Sequence, residues 1–320
     1  MPERAGPHRT PTDELPMRPM IFLFFMMFSS IAFVGCSAES SEADDAVAET
    51  VRPDPPQPVG DWEWLQSFDD DTEHWYTHRD GTIHREPSGF ESGGYASGIS
   101  SSSGDFHARL RNPQGEGCVP EFSEETRCGG PYTPWGRPPV PNPNWPEGGY
   151  YTRIDIYLDF EWAALNPDRR FDFSSAINRA GDGAHLHDFL FNVGTNPDGS
   201  GSWIMNTSLR HARANVQPSN PCPDPSDGRN TCRTPATVNE GSGWYTFKHT
   251  FRDDQGDLAV DMQVIAPSGA VVAEWTIFDI PMEGVGGEHY GWFPNQEIFD
   301  LAIDNAGKYM IARGATDGVE

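Results

Sequence analysis

The chain has 320 residues and a formal net charge of −26 at pH 7, with 48 acidic side chains against 22 lysines and arginines. A chain this negative repels phosphate backbones and anionic lipid headgroups, which excludes nucleic-acid binding, while it favours solubility and welcomes divalent cations. Glycine and proline are abundant, 33 and 29 residues, and set the chain up for strands and turns.

Residues 1–35 read as an export signal. Arg18 supplies a positive flank, Met20 to Val34 form a short apolar run, and Gly35 closes it with a small residue. The run is too short for a comfortable membrane span. Met17 followed by Arg18 would make a more ordinary start than Met1. Phe33-Val34-Gly35-Cys36 resembles a bacterial lipobox. That resemblance implies that Cys36 is lipidated and becomes the mature N-terminus, anchoring the protein at the cell envelope. Ser37 is compatible with sorting to an outer membrane. The plainer alternative is an ordinary cleaved signal with an incidental cysteine. Arg4, Arg9 and Arg18 balance Glu3, Asp13 and Glu14, so the mature chain keeps the whole net charge. Residues 36–60 are rich in Ser, Ala, Glu, Asp and Pro and have no aromatic residue, a composition that cannot bury a core and reads as a solvated tether. Residues 61–320 are long enough for one large domain.

Within that domain, Tyr150 to Phe160 alternates with the two-residue period of a strand. Ile154, Ile156, Leu158 and Phe160 take one face; Arg153, Asp155, Tyr157 and Asp159 take the other. Glu161 to Leu165 has room for one helical turn. His185–Val193 and Ser202–Leu209 make two strands around the turn-forming run Gly194 to Gly199. Tyr245–Arg252 and Leu258–Ile265 pair around Asp253 to Asp257, and Pro267-Ser268-Gly269 turns the chain into Val271–Phe278. The closing strands are expected over Glu297–Ile303 and Lys308–Ala312. Trp203 and Trp275 belong to the core. Helical periodicity is otherwise nearly absent, so the expected fold is all-β: a two-sheet antiparallel sandwich or jelly roll.

Two long insertions, 112–148 and 210–242, interrupt the strands, and each carries a cysteine pair. Cys118 and Cys128 have the same separation as Cys222 and Cys232. In an exported chain two local disulfides pinning the loops are the natural reading, with a bridge between the loops and a zinc site as alternatives.

The opening run Phe68-Asp69-Asp70-Asp71-Thr72-Glu73-His74-Trp75 and the later Phe299-Asp300-Leu301-Ala302-Ile303-Asp304-Asn305 resemble the bracketing strands of concanavalin A-like and carbohydrate-binding jelly rolls. The resemblance implies that the first and last strands lie side by side. It also implies that Asp69, Asp71 and Asp304 hold a structural calcium. The three alternating acids of jelly-roll glucanases are absent, as are the motifs of jelly-roll alginate lyases.

Sorting each strand by parity puts Arg153, Asp155, Tyr157, Asp188, Asn206, Arg210 and Lys248 on polar faces. Together with Trp244 they form the candidate ligand-binding set. Parity fixes the face of a residue and not the sheet its strand joins, so the set can span two surfaces. Trp135, Trp145, Tyr151, Tyr290 and Trp292 are further rings that could pack on a sugar. His185, His187, Tyr157, Arg210, His211 and Lys248 could serve a polysaccharide lyase. Asp155 with Asp188 or Asp261 could serve a hydrolase. The leading expectation is a lipid-anchored, calcium-stabilised protein that binds carbohydrate or another envelope component. A glycan-active lyase comes second, and an adhesion or structural envelope protein third.

Overall fold

The computed structural model describes residues 62–77, 81–90, 98–112, 129–136, 143–209, 235–298 and 300–311. The cysteines Cys36, Cys118, Cys128, Cys222 and Cys232, together with Arg210, lie outside them.

Among the described residues, fourteen strands form two antiparallel sheets. The larger sheet contains β1 (Trp62–Gln66), β2 (Thr82–Pro87), β3 (Phe106–Arg111), β5 (Tyr150–Leu158), β10 (Gly243–Asp254), β11 (Asp257–Ile265), β12 (Val271–Pro281) and β14 (Asp300–Met310). Its order is β12-β11-β10-β5-β14-β3-β2, and β1 also pairs with β14. The smaller sheet contains β4 (Tyr132–Thr133), β6 (Arg170–Arg179), β7 (His185–Thr195), β8 (Trp203–Leu209), β9 (Ala236–Val238) and β13 (Val285–Gln296), in the order β4-β13-β6-β7-β8-β9. One short helix, α1 (Phe160–Leu165), follows β5; the Asp159 side chain caps it by accepting the Trp162 amide at 2.9 Å.

The strands expected at Tyr150, His185, Ser202, Tyr245, Leu258 and Val271 are all present. Alternate residues on each bury into one core, where Ile154, Ile156, Phe247, Phe251, Val260 and Met262 of the larger sheet meet Phe171, Phe173, Phe189, Phe191 and Met205 of the smaller. Phe247 stands edge-on to Phe191 at 5.2 Å and to Phe171 at 6.3 Å, so the sheets interlock through rings. Trp203 is fully buried and Trp275 packs against the same core, half-buried.

The first and last strands are neighbours: Gln66 lies opposite Ala306 and Trp62 opposite Tyr309. The chain end is one strand rather than the two expected at Glu297–Ile303 and Lys308–Ala312. Opposite β5, Asp304 pairs with Asp155 and Gly307 with Arg153, so β14 holds one extra residue, and Asn305 sits there at φ 47°. The bulge bends the strand without ending it, and it reverses which residues face inward afterwards. Lys308, opposite inward-facing Thr152, therefore points into the sandwich.

Candidate functional site

The predicted ligand-binding residues divide between two surfaces. Arg153, Asp155, Tyr157, Trp244 and Lys248 lie on the outer face of the larger sheet. Asp188 and Asn206 lie on the outer face of the smaller one.

On the larger sheet these side chains are engaged with the chain itself. Asp155 accepts Thr246 Oγ1 at 2.6 Å, Ser102 Oγ at 3.0 Å and Asn305 Nδ2 at 2.9 Å, and pairs with Arg153 at 3.2 Å. Trp244 Nε1 donates to the Ser100 carbonyl at 2.7 Å, and its ring meets Tyr157 edge-on at 5.4 Å. Ile99 is buried against Ala302 beneath these rings. Lys248 Nζ lies 4.7 Å from the Tyr151 ring, which stacks on Tyr309. The outcome is a clasp over residues 99–106. Asp304 accepts the amides of Ser102 and Ser103, at 2.9 and 3.2 Å, and Asp69 accepts those of Asp105 and Phe106, at 2.8 and 3.3 Å. The two carboxylates expected to share a calcium thus converge on one loop, by way of its amides. Asp71 accepts the Glu73 amide within its own turn. Among the described residues no three His, Cys, Asp or Glu side chains gather as a metal ion requires.

The outer face of the smaller sheet has a different character. Phe171, Phe173, Phe189, Phe191 and Met205 occupy the inward positions of β6, β7 and β8, so the intervening Asp172, Ser174, Asp188, Asn192, Asn206 and Ser208 point outward. All six are nonetheless buried. Asn192 Nδ2 donates to Asp172 at 3.0 Å, Arg170 pairs with Asp172 at 2.8 Å, and Ser174 Oγ donates to Asp188 at 3.1 Å. Asn192 Oδ1, Ser208 Oγ and Asn295 Oδ1 find no hydrogen-bond partner among the described residues. Buried acceptors are almost always satisfied in a folded protein, so three orphans on one face mark a place where the chain leaves hydrogen-bonding capacity unused.

One end of this row is rebuilt by two β-bulges. Between Glu288 and Gly291, β13 spans three steps against two on β6. Between His185 and His187, β7 spans two steps against one on β6. The bulge on β13 brings consecutive His289 and Tyr290 against His185, with ring centroids 5.4 and 5.7 Å away, the Tyr290 ring lying nearly parallel. The bulge on β7 separates His185 from the parity of Phe189, on which His187 remains, and delivers its Nε2 to Asp188 Oδ2 at 3.0 Å. Ala176, opposite Asp188, is too small to keep Asp188 and Tyr290 apart.

The environment sets each group differently. The hydrogen bond to Asp188 raises the pKa of His185, against the opposing effect of its partial burial. Burial, with His185 alongside, pushes His289 down to about 4, so it is a neutral imidazole near pH 7. Burial and the Asp188 charge push the Tyr290 hydroxyl well up. Trp292 meets Tyr290 edge-on at 5.9 Å and completes a half-buried aromatic rim. Of the other candidate rings, Trp135 is buried beneath Gly291 and Trp145 packs on Tyr150. Tyr290, Trp292 and His185 were visible in the sequence as residue types. Their meeting was not, because the bulges that cause it leave no mark in the alternation.

No protein-family model matches the chain, and no curated protein matches it. Among solved structures, the CBM2 module of the evolved Dit protein of Lactobacillus casei BL23 phage J-1 aligns with 76% of this chain and 95% of its own, at 9% identity and a TM-score of 0.24. A score that low carries no argument about this chain.

Proposed function

We propose that this is an exported, lipid-anchored jelly-roll protein that binds a glycan on the outer face of its smaller sheet. One observation carries the reading: a row of buried polar side chains, three with orphaned acceptors, turned away from the core and ending at an aromatic rim. A polyhydroxylated ligand supplies hydroxyl donors for such acceptors, and a sugar's apolar face suits Tyr290 and Trp292. An apolar ligand would leave the orphans unpaired and is disfavoured by the same row.

Affinity electrophoresis of the full chain through gels containing neutral or acidic polysaccharides tests the reading. Retardation by at least one polymer is expected, and Ser208→Ala should weaken it by up to about tenfold, the loss of one hydrogen bond. Uniform mobility in every gel would remove the proposal. Repeating the gels with calcium and with EDTA measures the expected dependence on a structural cation.

The anchor is separately testable. Expressed in a bacterial host, the wild-type chain should incorporate labelled palmitate and sediment with membranes, whereas Cys36→Ser should do neither. Palmitate labelling that survives in Cys36→Ser would exclude the lipobox reading.

A further inference from the structure

We infer that the bulged end of this face is an acid–base centre that cleaves uronate-containing glycans by β-elimination, with His185 as the catalytic group and Asp188 positioning it. The inference rests on the glycan-binding reading and adds a reaction to it.

Geometry comes first. His185 is exposed, whereas Asp188 behind it is fully buried, so the imidazole stands between an enclosed carboxylate and the outside. Because Nε2 faces the carboxylate at 3.0 Å, the ring proton belongs on Nε2 and the lone pair of Nδ1 is turned away from Asp188. A buried carboxylate holding one tautomer of a surface histidine, with Tyr290 lying parallel to the ring, is an arrangement for moving a proton. A wetted sheet face needs none of it. Two bulges in adjacent strand pairs are required to build it, and bulges are enriched beside active sites, where they re-aim side chains.

The chemistry then follows from the groups present. Nδ1 of His185 removes the hydrogen on C5 of a uronate, the carbon next to its carboxylate. The C–H electron pair becomes the C4=C5 double bond, the C4–O4 bond breaks, and the departing oxygen takes the proton back from His185. No water, oxidant or second acid is consumed, so atoms and charge balance within one residue. The uronate carboxylate must be neutralised while charge builds on it. His289 stands beside His185 as a neutral imidazole in the free protein. An anion placed against it favours the imidazolium, so substrate binding itself would charge it. The hydrogen bond to Asp188 raises the pKa of His185 and so makes it a stronger base for this step.

A single group acting as base and then acid must find both atoms on the same side of the sugar ring. In glucuronate and mannuronate the C5 hydrogen and O4 share a face; in galacturonate and guluronate they are opposed. Polyglucuronate or polymannuronate is therefore the expected substrate class, and polygalacturonate is not.

The test follows the ultraviolet band of the conjugated double bond while the full chain is incubated with each polymer, with affinity gels run in parallel. Absorbance should rise with polyglucuronate or polymannuronate and stay flat with polygalacturonate. His185→Ala, an exposed position that leaves the core untouched, should lower the rate by roughly 10²–10⁴-fold while retaining the gel shift. Asp188→Asn should lower kcat with little change in KM; if that buried change prevents folding, His185→Ala alone decides. Retardation without absorbance would overturn the elimination and leave binding intact. Turnover that survives in His185→Ala, or that extends to polygalacturonate, would remove His185 from the role. Neither retardation nor turnover would overturn both readings.

Discussion

Glu288→Gln lowers the stability of the folded domain by about 3–5 kcal/mol, and Lys308→Met does the same, in urea unfolding followed by tryptophan fluorescence. Lys308 Nζ lies 2.9 Å from Glu288 Oε2, and both side chains are 1% exposed. Lys308 belongs to the larger sheet and Glu288 to the smaller, so the pair spans the sandwich between the Phe-rich layers. Nζ also lies 5.3 Å from the Tyr150 ring, which adds a cation–π contact. Taking two charges out of water costs about as much as their attraction returns, so the intact pair contributes little net stability. Removing one partner is another matter, because the survivor remains buried without its counter-charge. Replacing both, as Lys308→Met with Glu288→Leu, should therefore recover most of what either single change loses. A loss under about 1 kcal/mol in both single variants would show that water reaches the pair, contrary to its burial. The physical use of such a pair is to fix how the sheets register: sliding one over the other by a residue would separate the charges inside the core.

That pair depends on a feature the sequence does not announce. Lys308 would face outward if β14 alternated without interruption, and only the extra residue at Asn305 turns it in. The same holds for the candidate site, whose His185, His289 and Tyr290 meet through two more bulges. Alternation is a signal of regular strands, and each bulge resets it locally. Strands with one wet face and no irregularity were readable: β10 and β11 alternate a buried and a half-buried side chain through most of their length, and β5 does so except at Asp155, whose outward carboxylate is itself buried. β6 was not, since Asp172, Phe173, Ser174, Ser175 and Ala176 are all buried and polarity no longer reports direction. β13, with three glycines and three register slips, has no alternation to show that it is a strand. Parity put Asp188 and Asn206 on the polar sides of their strands, and β7 and β8 pair so that the two share one face. It could not tell that Arg153, Asp155 and Lys248 belong to the opposite sheet, because strand order is a tertiary property. The neighbouring chain ends came from the resemblance of the first and last acidic segments, and the pairing of β1 with β14 agrees with it.

The clasp on the larger sheet should make stability depend on pH in an unusual direction, and Asp304 should be the cause. Burial pushes its carboxyl up to about 8, with the Asp155 charge adding to the rise, while the amides of Ser103, Asn305 and Ser102 work against it. An unfolded aspartate titrates near pH 3.9, so the folded form holds a proton that the unfolded form has already released. The contribution is fully present below about pH 4, and it is lost as pH climbs toward 8. At one pKa unit to about 1.4 kcal/mol, the decline across that window is on the order of 3–5 kcal/mol. Ordinary paired carboxylates act in the opposite sense, so the whole-protein curve mixes both. The difference between wild type and Asp304→Asn isolates one group. Asparagine cannot titrate, and its amide nitrogen faces backbone donors that the carboxylate accepted, so the variant starts less stable in acid; its curve should nonetheless be flatter between about pH 4 and 8. Parallel curves for the two proteins would mean that the three amides outweigh burial and hold Asp304 ionised throughout. In that event the loop over residues 99–106 is secured by a charged clasp, and Asp155 and Asp304 share their surroundings as two anions held apart by Arg153, Asn305 and the serines.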